Sequence, residues 1–213
     1  MSHSADGYVT DIAYTRHHHA TLDPGRAILV AERAGRSRPA IQYACELGFG
    51  QGLSLAIHSS ASDTEWWGLD VLPQHVEFAR SLIDDPRARE RVVCANFEQF
   101  DSRDDLPCFD FIALHGVWSW VSAQNRARIA AFIDRRLAPN GIVYLGYNAL
   151  PGWGPVLSLR ELLVATASQA NSARLEDRIE AALRFAARVV ASNPRILDSQ
   201  PAFERQLREI HSK

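Results

Sequence analysis

A doubly wound α/β fold, with a mainly parallel sheet and a helical appendage at the carboxyl end, is what this sequence of 213 residues predicts. Three observations carry that reading. Short apolar runs alternate with stretches of helical spacing across residues 41–148, the pattern of a parallel sheet covered by helices on both faces. The first run ends in Glu46-Leu47-Gly48-Phe49-Gly50-Gln51-Gly52 before a helix starts at Leu53, so a buried strand feeds a turn with glycine at every second position. Past Trp153 the strand signal stops, and Ala, Leu, Arg and Glu at helical spacing take over.

The composition suits one globular domain, or one domain with an appendage: 46% of residues are hydrophobic and 23% charged. A formal net charge of −2 gives no global field for gripping a phosphate backbone, so no nucleic acid partner is expected. No apolar run is long enough to cross a bilayer, and Met1-Ser2-His3-Ser4-Ala5-Asp6 is not a basic and then apolar leader. No membrane partner and a cytoplasmic location are therefore expected. Cys45, Cys94 and Cys108 lack C-x-x-C spacing and read as reduced core residues.

Residues 1–40 hold Tyr8, Tyr14 and the run His17-His18-His19, then Asp23-Pro24-Gly25 and a helix expected over residues 26–36. Asp23 suits its N-cap and Pro24 its first position. Adjacent side chains diverge, so three consecutive histidines cannot all reach one metal; the run reads as an exposed loop, and no metal site is expected. In the glycine turn, residues without side chains permit positive φ and let backbone N–H groups approach a ligand. A dinucleotide fingerprint, G-x-G-x-x-G, would need glycine where Leu53 stands. The pattern is instead E-x-G-x-G-x-G, and its acid repels a pyrophosphate but suits a ligand with an ammonium group and no phosphate.

Glu65-Trp66-Trp67-Gly68-Leu69-Asp70 is the second strand, ending on an acid eighteen residues beyond Gly52, where a carboxylate can accept two hydrogen bonds from ribose hydroxyls. Leu72, with Val71 before it, is placed to pack on a base. Arg91-Val92-Val93-Cys94-Ala95 is a third short strand leading to Asn96-Phe97. Phe109-Asp110-Phe111-Ile112-Ala113-Leu114 is apolar almost throughout, as for a strand buried on both faces, and ends in His115-Gly116-Val117-Trp118-Ser119-Trp120. A helix is expected over residues 124–137, with Ile129, Phe132, Ile133 and Leu137 on one face. Ala138-Pro139-Asn140-Gly141 stops it, and the fifth strand follows at residues 142–148. Later helices are expected over residues 156–167, 175–190 and 203–210, with breaks at Asn193-Pro194 and Gln200-Pro201.

Four blocks together carry a resemblance: Glu46 to Gly52; Phe109-Asp110-Phe111-Ile112 with His115-Gly116-Val117-Trp118-Ser119-Trp120; Leu137-Ala138-Pro139-Asn140-Gly141; and Tyr147-Asn148-Ala149-Leu150-Pro151-Gly152-Trp153. The chain resembles the class I S-adenosylmethionine-dependent methyltransferases that carry a C-terminal methyltransferase regulatory domain, over roughly residues 8–190. The resemblance implies a Rossmann-like domain over residues 1–153 and a helical appendage over 154–213. It implies S-adenosyl-L-methionine as cofactor, S-adenosyl-L-homocysteine as product, and a small-molecule or protein nucleophile as methyl acceptor. Glu46 would meet the methionine ammonium through backbone or water. Gly48, Phe49, Gly50 and Gly52 would lie along the methionine and ribose portion, Asp70 on the ribose, and Val71, Leu72, Asn96 and Phe97 about the adenine. Phe49 stands where many relatives have a smaller residue and would crowd the methionine end. His115 would touch the cofactor and serve as a general base, while Tyr8, Tyr14, Trp118, Tyr147, Asn148 and Trp153 would line the acceptor pocket.

Methyl transfer is the expected function, with a catalytically silent S-adenosylmethionine-binding or regulatory protein as the alternative and a nicotinamide oxidoreductase disfavoured by Leu53 and Glu46. Such enzymes close their sheet with a sixth and an antiparallel seventh strand, and residues 153–213 hold no candidate for either. The expectation is therefore about five parallel strands, the last left as an apolar edge that its own C-terminal helices or a second copy in a homodimer must cover.

Overall fold

The computed structural model describes residues 14, 16–36, 40–172 and 174–193. In chain order these form a 3₁₀ turn at Ala20–Leu22, α1 (Pro24–Arg33), β1 (Tyr43–Leu47), α2 (Leu53–Ala61), β2 (Glu65–Asp70), α3 (Pro73–Ser81), α4 (Pro86–Glu90) and β3 (Val92–Cys94). There follow α5 (Phe97–Asp101), β4 (Phe109–His115), α6 (Ala123–Arg136), β5 (Leu137–Gly146), α7 (Gly154–Gln169) and α8 (Leu175–Ser192). The expected helix at residues 203–210, the two proline breaks and Tyr8 lie outside the described residues.

The five strands are all parallel, in the order β3-β2-β1-β4-β5. The chain winds outward from β1 on one side, then returns to place β4 against its other edge. A crevice therefore opens beyond the carboxyl ends of β1 and β4, where an open α/β sheet binds its ligand. Alternate side chains feed two apolar layers: Ala44, Trp66, Phe111 and Ala113 pack on one face, and Cys45, Leu47, Trp67, Leu69, Ile112 and Leu114 on the other. A strand alternates its side chains with a period of two, so covering both faces demands apolar residues at every position, which is why these strands read as unbroken runs. Asp110 fastens the layers' lower edge, its Oδ2 accepting from the backbone N–H groups of Gln42 at 2.8 Å and Tyr43 at 2.9 Å.

Local capping follows the sequence. Asp23 accepts from the Gly25 N–H, with Pro24 at the first position of α1, and Ser122 caps α6. At β5 the structure departs from expectation. One residue of β4 between Phe109 and Phe111 opposes four of β5 between Leu137 and Ile142, so the strand begins at Leu137 and bulges through exposed Pro139 and Asn140, the latter at φ 65°. The turn signal was real, but pairing resumes on either side of it because Leu137 already seats on the core. The cysteines also divide: Cys45 is buried, whereas Cys94 and Cys108 are exposed rather than core residues.

The chain forms two compact units, residues 1–147 and 148–213, and the crevice belongs wholly to the first. In the second, α7 and α8 share a small core about Leu159 and Ala186. No described helix is long and apolar enough to cross a membrane.

Candidate functional site

The glycine turn between β1 and α2 is shaped by contacts that leave no room for a side chain at Gly48 or Gly52. Gly48, Gly50 and Gly52 all have positive φ, at 74°, 59° and 69°. A Cβ on Gly48 would come within 2.7 Å of Val117, and one on Gly52 within 2.4 Å of the Ala79 Cβ. The turn does not, however, hold out its N–H groups to a ligand as expected. The Gly48 and Phe49 N–H groups donate to the Leu69 carbonyl, Gly50 donates to Asp70 Oδ2 at 2.9 Å, and Gly52 donates to the Phe49 carbonyl. Its contribution is closeness of backbone, which suits a ligand without phosphate. Nor does the Phe49 ring crowd the space: it is buried against the α-carbons of Gly52 and Gly68.

Beyond the strand ends lies a cleft enclosing about 940 Å³, part of it open to solvent. Its floor comes from the turn, with Glu46, Leu69 and Asp70 at the tips of β1 and β2. Glu46 is 3% exposed and its Oε2 has no hydrogen-bond partner. Burial, and then the nearby Asp70, push its carboxyl up to about 8. Asp70 is held differently. Its Oδ1 accepts from the Leu72 N–H at 3.0 Å and lies 3.1 Å from His75 Nδ1, while Oδ2 takes the Gly50 N–H. Burial raises its pKa against these hydrogen bonds. The carboxylate thus ties the glycine turn to the start of α3 and still borders the cleft.

Val71, Leu72, Ala95 and Phe97 make an apolar wall beside Asp70. Asn96 is not among the lining residues. Its Oδ1 accepts from the Gln99 N–H at 2.8 Å and its own N–H donates to Gln99 Oε1, a capping box that starts α5. His115, Val117 and Trp120 also line the cleft, as does Tyr14, whose ring lies edge-on to His75 with centroids 5.5 Å apart. Trp120 takes the wall position expected of Trp118, which instead packs on the core. Tyr147 is 54% exposed and absent from the described lining, and Asn148 and Trp153 belong to the second unit.

Sequence reasoning placed Tyr14 of the arm before α1 at the pocket but missed the arm's histidines. His17 and His19 line the cleft with Gln51, while His18 turns the other way onto His58, ring centroids 5.4 Å apart. An extended segment sends alternate side chains to opposite sides, so the run is neither one ligand cluster nor a plain exposed loop. Its signal was the odd-even spacing, which means nothing until the segment has something on each side. No group of three or more described His, Cys, Asp or Glu side chains is arranged to hold a metal ion.

Residues 45–145 match the family model described as a methyltransferase domain. An uncharacterized protein of Synechocystis sp. is 30% identical over 210 residues, 96% of this chain and 41% of the relative. An uncharacterized protein of Rickettsia prowazekii is 28% identical over 141 residues, 65% of this chain and 56% of the relative. The chain thus spans about half or less of the curated relatives it matches. Among solved structures, PKMT2 from Rickettsia typhi in complex with S-adenosylhomocysteine aligns with TM-score 0.64 at 24% identity, over 83% of this chain and 34% of that one. S-adenosyl-L-methionine is the cofactor of this domain type, and the cleft fits it: an unpartnered buried carboxyl oxygen for an ammonium, a turn whose glycines let the backbone come close, and an apolar wall for a base. Residues 45–145 thus match the model of a methyltransferase domain, and the five-stranded parallel sheet with its flanking helices is the Rossmann-like fold of the S-adenosylhomocysteine-bound methyltransferase structure.

Proposed function

We propose that the chain is a working methyltransferase that moves the S-adenosylmethionine methyl group to a nucleophile admitted between Tyr14, His115 and Trp120. The observation that carries this is the unpartnered Oε2 of Glu46 on a cleft at the sheet's switch point. A buried carboxylate without a partner is unfavourable, and an ammonium group answers both its charge and its open hydrogen-bond site. The bound cofactor supplies an electrophilic methyl on a sulfonium sulfur. The chain's own part is placement: Glu46 orients the amino-acid end, the glycine turn admits it closely, Asp70 borders the ribose, and Val71, Leu72 and Phe97 take the adenine. Asn96 keeps a place near the adenine only through its amide nitrogen, since its oxygen caps α5.

His115, at the end of β4, is the general base of this reading, and Tyr14 and Trp120 the acceptor's apolar support. The finer features belong to the same proposal: α7 and α8 as the start of a regulatory domain, a cytoplasmic location, and a homodimer formed along β5. Calorimetry with S-adenosylhomocysteine tests the site, and transfer of tritium from methyl-labelled S-adenosylmethionine into a cell extract tests turnover. Binding without transfer would leave a silent cofactor-binding protein.

A further inference from the structure

His19 and His115 come from distant parts of the chain and meet as a tilted ring pair. Their ring centroids are 4.1 Å apart at 37°, and the His17 ring lies 4.9 Å from His19. The meeting is built. The His19 backbone N–H donates to Ser54 Oγ at 2.8 Å, and Ser54 is 3% exposed at the start of α2, so the arm is pinned to the scaffold at the residue that faces His115. On the other side, the Tyr144 hydroxyl lies 3.4 Å from His115 Nδ1, and Gly146 clears the ring's place, because a Cβ there would come within 2.8 Å of that nitrogen. Nδ1 is thus the His115 nitrogen engaged on the β5 side, and His115 lines the cleft.

We propose that His19 and His115, with His17 beside them, form the acceptor subsite and its shared proton acceptor, so that the acceptor is a nucleophile still carrying an N–H or O–H proton and not an anion. This rests on the methyltransferase reading above and names the substrate chemistry of the same cleft. The charges agree with it. The described lining holds no Arg or Lys, so it offers no side-chain cation to hold an anionic acceptor. Burial first, and neighbouring imidazoles next (His17 for His115; His115, His17 and His18 for His19), hold both rings below the ordinary histidine value, so at neutral pH each offers a lone pair. As the acceptor atom bonds the methyl carbon, the C–S pair stays on sulfur and the acceptor's proton passes to an unprotonated ring nitrogen. One ring can then hold the proton while its neighbour keeps the next acceptor's hydrogen bond.

Imidazole NMR titration of the full chain, without cofactor, reads the coupling. His19 and His115 are expected to titrate below the ordinary value. His115→Gln should raise the His19 midpoint and His19→Gln the His115 midpoint; midpoints that ignore the partner's removal overturn the proposal. The second arm uses tritium from methyl-labelled S-adenosylmethionine in a cell extract. Label recovered in a base-stable N-methyl or ether O-methyl group supports an N–H or O–H acceptor, and label released by base as methanol marks a carboxylate and overturns it. His19→Gln, which keeps the backbone bond to Ser54, should lower labelling at least tenfold with S-adenosylhomocysteine affinity unchanged, and full labelling would sink the shared role. Failure of S-adenosylhomocysteine to bind the parent chain overturns the methyltransferase reading and this proposal together, whereas binding with uncoupled histidines overturns this proposal alone.

Discussion

Glu46 shows what a ligand site demands of a single side chain. With the carboxyl pushed up to about 8 in the fold and about 4.3 in an unfolded chain, the native state holds the extra proton between those values. Stability therefore falls as pH rises through that window, by about 1.4 kcal/mol per pH unit, and levels off above it. Glu46→Gln should match the parent near pH 4.5 and exceed it in stability at pH 8.5, as read by urea denaturation; parallel pH curves would show that Glu46 is already ionised at neutral pH. An ammonium ligand reverses the preference, so S-adenosylhomocysteine should release a proton at pH 7, seen by calorimetry in buffers of different ionisation enthalpy. 5′-Methylthioadenosine, which lacks the amino-acid tail, should release none. Asp70 has a second duty besides the ribose, because its carboxylate satisfies the Gly50 and Leu72 N–H groups. Asp70→Ala should cost about 1–3 kcal/mol of stability as well as cofactor affinity. A variant of full stability that loses only affinity would mean the ribose is its main partner.

Each element around the cleft is set by contacts at its ends. The β1–α2 turn needs glycine because its backbone runs left-handed and its α-carbons touch Val117 and Ala79. Gly52→Ala should destabilise by about 1–3 kcal/mol from φ strain and overpacking, with Gly48→Ala milder because the Val117 side chain it meets can move. Thermal melts of the two would order them. At α5, the capping box makes a separable prediction. Asn96→Ala should cost about 0.5–2 kcal/mol of stability and leave S-adenosylhomocysteine affinity within threefold; a larger loss would return Asn96 to the adenine. The E-x-G-x-G-x-G pattern was legible because glycine at fixed spacing has few other uses. The capping role of Asn96 was legible as well, in the Gln three residues on, but the family analogy outweighed it.

Over the whole molecule, all described cleft residues fall within residues 1–147. A chain ending at Tyr147 is therefore expected to bind S-adenosylhomocysteine within tenfold of the full chain, as calorimetry would show, and loss of binding would give the second unit a part in the site. β5 pairs with β4 alone among the described strands, so its other edge offers open backbone groups along Ile142 to Leu145, softened at one end by Pro139 in the bulge. Light scattering across a concentration series checks whether a second copy covers it: a mass that rises to twice the monomer supports the dimer, and a monomer throughout removes it.

The parallel sheet, its two-faced burial and a crevice at the carboxyl ends of β1 and β2 followed from the sequence, because period, glycine spacing and the acids at the ends of β1 and β2 are local signals tied to backbone geometry, whereas the strand order came only with the structure. The pairing of His19 with His115, the choice of Trp120 over Trp118 and the tether from Ser54 to the arm did not follow from the sequence either. Each depends on which surfaces segments far apart in the chain present to one another, and a residue's neighbours across a cleft leave no periodic trace in its own stretch of sequence. Glu46 joins the two: its position was written in the motif, but the unpartnered oxygen and raised pKa that make it a demand for a cation exist only once β1, β2 and the glycine turn have shut water away from it.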